Sequence, residues 1–221
     1  GPSVATPQLV IGNRNYSTWS LRAWLFLRHH GIEFEETRLA LDTEEFRRTI
    51  GDYSPSGRVP VLIHGPLRVW DSLAICEYVS DVFDGVHGWP QDPVARAGAR
   101  SAVCEMHSGF AALRDELPMN CRARQRHVIL SPAADRDIGR IATIWSEMRT
   151  RFGTGGPWLF GRFSIADTMF APVAMRFLTY GVALQDAAGA WMTEMLAHPA
   201  MREWIAAAEQ EPEIIAADER G

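Results

Sequence analysis

The N-terminal part of the chain alternates between two kinds of apolar pattern. Leu9-Val10-Ile11 is a short unbroken apolar run, which reads as a buried strand. Over 19–30 the apolar positions return at helical spacing, with Leu21, Trp24, Leu25 and Leu27 near one side and Gly31 as the C-cap. Residues 33–41 alternate like a strand, and 43–50 form a short charged helix that Gly51-Asp52 stops. Two short strands, 60–63 and 67–70, flank the hairpin signal His64-Gly65-Pro66. A helix over 72–83 follows, with Leu73, Ile75, Cys76 and Val79 available for burial.

After a linker rich in Gly and Pro, 85–93, no strand pattern is convincing. Residues 94–117, 133–152, 164–180, 188–196 and 199–209 all read as helices, and the charged stretch 211–221 is expected to fray. The fold class is therefore α+β. A βαβαββα unit over 6–84, with the small mixed sheet of a thioredoxin-like domain, precedes an all-helical domain over 94–221.

Composition narrows the function classes. With 47% hydrophobic and 22% charged residues the chain is of ordinary globular make-up. A net charge of −5 gives no electrostatic reason to expect nucleic acid or anionic lipid as a partner. All 22 cationic residues are arginines, so no lysine exists for a Schiff base or a P-loop. Cys76, Cys104 and Cys121 match no metal spacing, and an odd, low count fits reduced thiols in the cytoplasm. No run of ~20 apolar residues offers a membrane span, and no metal site is expected. Gly1-Pro2 has the form of a protease-cleavage remnant and is set aside.

Three stretches hold candidate chemistry. In Asn15–Trp24, NYSTWSLRAW, the hydroxyls of Ser17, Thr18 and Ser20 fall at the first turn of a helix, where unpaired N–H groups favour negative charge. Simple N-capping explains them, and so does donation to an anionic ligand. In SPSGRVPVL the Val59-Pro60 pair reads, by itself, as a trans proline entering an edge strand. A cis bond is the alternative, and it would aim the Val59 N–H and C=O at an extended peptide-like ligand. Asp71-Ser72 opens the next helix, either as a cap or as a carboxylate site.

Together and in this order, the three features resemble the cytosolic glutathione transferases, and the likeness runs over roughly residues 8–210. FSIADTMFAPV, 163–173, is similar to that family's capping box and hydrophobic staple, with Ser164 and Asp167 at the cap and N3. YSTWSLRAW is most similar to the serine-type branches, zeta and theta-like. Trp19 stands where zeta members carry a cysteine, which disfavours disulfide-forming chemistry, and Asp71 replaces the usual glutamate.

The resemblance implies that glutathione, as co-substrate, lies along the first domain like an added strand. Ser17 is the catalytic hydroxyl that donates to the sulfur, with Thr18, Ser20 and Tyr16 as alternatives. Val59 beside Pro60 pairs with the cysteinyl backbone, Ser72 meets the γ-glutamyl carboxylate, Asp71 the amine, and Arg58 the glycyl carboxylate. A free thiol titrates near ~8.5, and lowering it by about two units corresponds to roughly 2.7 kcal/mol of thiolate stabilisation. No His-Asp relay is needed, and the chain lacks the Gly-x-Ser-x-Gly elbow of the common esterases.

An electrophile is expected between the domains. His107, Phe110 and Arg114 share one face of the first long helix, Met106 lies beside them, and Arg176 and Tyr180 close the pocket from a later helix. Arginines there suit an acidic or carbonyl-bearing substrate, while core packing and surface ion pairing are the plainer explanation of the same residues. The resemblance also implies a homodimer. The competing functions are a maleylacetoacetate-type cis-trans isomerase and a non-catalytic glutathione-binding scaffold.

Overall fold

The computed structural model describes residues 5–221; Gly1 and Pro2 lie outside them. Four strands, β1 (Gln8–Ile11), β2 (Glu35–Arg38), β3 (Val61–His64) and β4 (Leu67–Trp70), form one sheet in the order β2-β1-β3-β4. β1 runs parallel to β2 and antiparallel to β3, and β3 pairs antiparallel with β4. Leu9, Val10, Ile11, Val61 and Leu62 are fully buried, so the unbroken apolar runs mark the two inner strands. Gly65, at φ 58°, makes the tight turn between β3 and β4.

Helix α1 (Thr18–His29) is buried nearly all round because it lies between the sheet and the second domain. Helix α2 (Glu44–Tyr53) runs through Gly51 rather than stopping there. A helical glycine costs only about 1 kcal/mol against alanine, and the helix ends instead at Ser54, extended before Pro55. Helix α3 (Ser72–Val82) closes the sheet domain.

The second domain contains α4 (Pro93–Ser108), α5 (Ala111–Glu116), α6 (Pro132–Phe152), α7 (Ile165–Tyr180), α8 (Asp186–Ala197) and α9 (Pro199–Glu209). The expected single helix over 94–117 is broken at Gly109-Phe110, where Phe110 is left-handed at φ 62°. Arg114 holds the break together by donating from Nε to the Gly109 carbonyl at 2.8 Å and from Nη2 to the Met106 carbonyl. It thereby satisfies acceptors that the end of α4 leaves open.

Helix α7 is the buried axis of this domain, and the capping box at its start forms as expected: Asp167 Oδ2 accepts the Ser164 N–H at 2.8 Å. The expected staple would pair Phe163 with the N4 residue. That residue is Thr168, whose hydroxyl donates to the Arg22 carbonyl at 2.7 Å and ties α7 to α1. Phe163 stacks on His29 instead, ring centres 3.8 Å apart.

One core runs continuously through both domains. No helix of the described residues is long and apolar enough to cross a membrane.

The closing segment does not fray. Glu211 accepts the backbone N–H groups of Arg14 and Asn15 at 2.9 Å each, and Glu213 takes both Arg38 terminal nitrogens at 2.9 and 3.0 Å. Glu219 accepts the Tyr16 hydroxyl at 2.6 Å and the Asn120 amide at 3.0 Å. Local composition reads as solvated, but the partners are distant: Arg38 on β2, Asn120, and the loop 14–16, whose peptide groups need acceptors.

Candidate active site

The loop after β1 delivers three hydroxyls to the start of α1. Ser17 is the N-cap: its Oγ accepts the Ser20 N–H at 3.4 Å and donates to Ser20 Oγ at 2.7 Å. Ser20 Oγ in turn accepts the Gly12 N–H at 3.1 Å, which fixes the pair against β1. Ser17, Thr18 and Ser20 are all buried. Capping and ligand donation were posed as alternatives for Ser17, and the capping bond is present. Tyr16 is committed elsewhere, between Glu219 and Arg122. Burial first, then the Glu219 hydrogen bond, raises its phenol above the ordinary range, so it is a poor source of an activated proton.

Beside this seam opens a cavity of about 420 Å³, bounded by Trp19, Arg58, Val59, Pro60, Asp71 and Ser72. The Val59-Pro60 bond is cis, and Pro60 precedes an inner strand, not the edge strand expected. Val59 lies just outside the β3 ladder, and among the described residues neither its N–H nor its C=O is hydrogen-bonded. Arg58 is exposed at the rim. Asp71 adopts φ 77°, uncommon for a non-glycine residue. Its Oδ1 accepts from Leu73 and Ala74 N–H, so it is the α3 cap, while Oδ2 lies 3.1 Å from His107 Nε2. Ser72 is 1% exposed, and its Oγ has no hydrogen-bond partner.

The expected electrophile residues divide. His107 and Arg114 stand against Trp19, the His107 ring 5.3 Å from it edge-on and the Arg114 guanidinium 4.9 Å from its centre. Met106, Phe110 and Tyr180 belong to the core, and the Tyr180 hydroxyl is spent on the Pro118 carbonyl at 2.6 Å. The break between α4 and α5 removes the shared helical face proposed for His107, Phe110 and Arg114. Arg176 is buried, not a surface ion-pair member, and caps α5 by donating from Nη1 to the Leu117 carbonyl at 2.6 Å.

Two features escaped the sequence pattern. Arg22, a helix residue among apolar neighbours, is wholly buried against Trp19, 4.2 Å from the ring centre. Asn13 and Asn15 are fully buried and brace the loop, Asn15 through Asn120 at 2.8 Å. Two asparagines spaced by one residue before the serine were the available signal.

A larger cleft, about 910 Å³, lies at the C-terminal end of α1 beside His29, His30, His87 and Trp158. Burial above all holds His29 and His30 neutral, at about 4. Its two helix-start residues, Asp92 and Ser164, are the N-caps of α4 and α7, and their side chains already accept backbone N–H groups there, unlike the unpartnered Ser72 hydroxyl of the smaller cavity. Cys76 and Cys121 are buried, and burial pushes both thiols up, so neither is a ready nucleophile.

Comparison with known proteins bears on this geometry. The glutathione S-transferase N-terminal domain model matches residues 16–82, and the C-terminal domain model of the same family matches 131–207. The dichloromethane dehalogenase of Methylorubrum extorquens is 38% identical over 69 residues, 29% of this chain and 23% of that protein. A probable maleylacetoacetate isomerase of Caenorhabditis elegans is 28% identical over 102 residues, 46% of this chain and 47% of that one. The chain thus spans less than half the length of these two relatives. Mouse (Mus musculus) glutathione S-transferase omega-2 is 27% identical over 209 residues, 93% of this chain and 77% of that protein. Among solved structures, a Burkholderia glutathione transferase homologue with bound glutathione superposes with a TM-score of 0.71 at 22% identity. The superposition covers 94% of this chain and all of that one, and at such identity it speaks to the fold.

Proposed function

The chain belongs to the glutathione S-transferase family, and from that premise we propose that it binds glutathione in the 420 Å³ cavity and adds the glutathione thiolate to a small electrophile. The observation that carries this reading is Ser72 Oγ, buried without a partner at the start of α3. Leaving such a group unmet costs about 1–3 kcal/mol. A γ-glutamyl carboxylate is the ligand group that meets both this hydroxyl and the positive helix end.

On this reading residues 6–84 are the glutathione-binding domain, 94–221 the helical domain and 85–93 the link. The ligand's cysteinyl amide pairs with the free backbone groups of Val59. Asp71 receives the γ-glutamyl amine and Arg58 the glycyl carboxylate, while Thr18 flanks the sulfur at the helix start.

Ser17 activates that sulfur. Its proton faces Ser20 in the free protein, but hydroxyl hydrogens rotate about the C–O bond. When sulfur arrives the pair reverses: Ser20 donates to Ser17, and Ser17 donates to the thiolate. The α1 N-terminus adds its positive potential, and no proton has to leave the serine. The thiolate then attacks an electrophile held beside Trp19, His107 and Arg114.

The same family membership supports a homodimer and a cytoplasmic setting. Leu67 and Trp70 on the β4 edge strand are 44% and 47% exposed, apolar positions for a second copy to cover. Isothermal titration of the protein with glutathione tests the proposal: saturable binding that Ser72→Ala weakens supports it, and absence of binding removes it.

A further inference from the structure

Resting on the glutathione reading, we propose that Arg22, Arg114 and Arg176 form an oxyanion subsite behind Trp19 that takes a carboxylate carried by the electrophile. Arg22 is 0% exposed, and its Nε and Nη1 have no hydrogen-bond partner. A cation so placed is costly unless something anionic meets it. The Trp19 ring covers its face without supplying an acceptor.

The neighbours compound the imbalance. Arg114 rests on the same indole, and its remaining nitrogen, Nη1, has no acceptor among the described residues. The Nε of Arg176 is likewise buried and unpartnered. Burial, followed by repulsion from Arg114 and Arg176, draws Arg22 down to about 9, which leaves it charged at neutral pH. Asp71, a carboxylate whose charge reaches Arg22, is already engaged at both oxygens, by the α3 N-terminus and by His107.

Glutathione does not supply the missing anion, because its two carboxylates are assigned to Ser72 and Arg58. What remains is the second substrate. A planar carboxylate matches the guanidinium fork, which an uncharged electrophile does not. Trp19, partly exposed, borders both the glutathione cavity and Arg22, which places the three arginines next to the bound sulfur's side of the cavity.

The test compares two thioethers of equal length, S-hexylglutathione and S-(5-carboxypentyl)glutathione, by calorimetric titration of the intact protein. The acid should bind about ten-fold tighter, a difference of about 1.4 kcal/mol. Arg22→Met should abolish that preference while leaving S-hexylglutathione bound. If S-hexylglutathione binds the wild-type protein equally well or better, the subsite is overturned and the glutathione reading stands. If neither binds, the glutathione reading fails and the subsite with it. A preference that survives in the folded Arg variants places the carboxylate elsewhere and overturns the assignment. Should Arg22→Met not fold, Arg22→Lys, which keeps the charge but not the fork, decides the same point.

Discussion

Ser17 Oγ lies 2.7 Å from Ser20 Oγ, and Ser20 Oγ lies 3.1 Å from the Gly12 amide nitrogen. The N-cap of α1 is thereby wired to the end of β1 through a second, fully buried serine. A cap alone requires only the first hydroxyl. The second polarises the first and holds its rotamer.

Ser20→Ala should therefore lower kcat/KM about ten-fold, the equivalent of about 1.4 kcal/mol at the transition state. KM for glutathione should change little, because Ser20 contacts no ligand group. Steady-state kinetics at fixed electrophile concentration measure this. An unchanged kcat/KM would leave Ser20 as packing.

Ser72→Ala should separate binding from stability. The hydroxyl has no partner in the free protein, so its removal should leave the Tm unchanged or slightly higher. Glutathione affinity should fall about ten-fold or more, roughly 1.4 kcal/mol. Thermal unfolding with and without glutathione reads both effects in one experiment.

The closing segment should act as a strap on the loop before Ser17. Glu211 accepts two backbone N–H groups that have no other acceptor, so Glu211→Ala should cost about 2–3 kcal/mol. For a chain of this length that is a Tm loss of roughly 4–10 °C. Differential scanning calorimetry checks it. A change of under about one degree would show a segment that merely rests on the surface.

Stability should fall on mild acidification because of the imidazoles at the end of α1. His198 Nδ1 accepts the Ala200 N–H at 2.9 Å, so its Nε2 carries the proton and donates to His29 Nδ1 at 2.8 Å. Burial, above all, holds His29 and His30 at about 4, below the ordinary 6.5 of a free imidazole. Between those values the unfolded chain binds protons that the folded one refuses, so the stability present above 6.5 is lost toward 4. Asp167 opposes this: burial raises it to about 6, and the folded chain gains relative stability as it protonates below that pH. After discount for partial exposure, each histidine should contribute about 1–2 kcal/mol. Urea midpoints across this range should be flatter for His30→Phe than for wild type, and equal slopes would assign the acid response elsewhere.

What could be read from the sequence were features whose cause is local. The buried runs at Leu9–Ile11 and Val61-Leu62, the capping serine before α1 and the Ser164-Asp167 box each specify their own conformation. The break at Gly109 was hidden because Ala111–Glu116 continues the helical pattern, and the groups that stabilise the interruption, Arg114 reaching back to α4 and Asp137 accepting the Leu113 N–H, reveal themselves only in three dimensions. Glu211–Glu219 read as a solvated tail because their partners, Arg14, Asn15, Tyr16 and Arg38, lie at the other end of the chain. Arg22 was passed over for the same reason: burial first, and then the charges of Arg114 and Arg176 from the second domain, make its surroundings unusual. The seam and the helix starts of the candidate site were thus legible, but the charge around them was not.

The most direct measurement is an ultraviolet difference titration of bound glutathione, comparing wild type with Ser17→Ala. The thiolate band should appear about two pH units below that of the free thiol, and the shift should vanish in the variant. If both proteins bind glutathione and their titrations coincide, Ser17 is an N-cap and not the group that activates the sulfur.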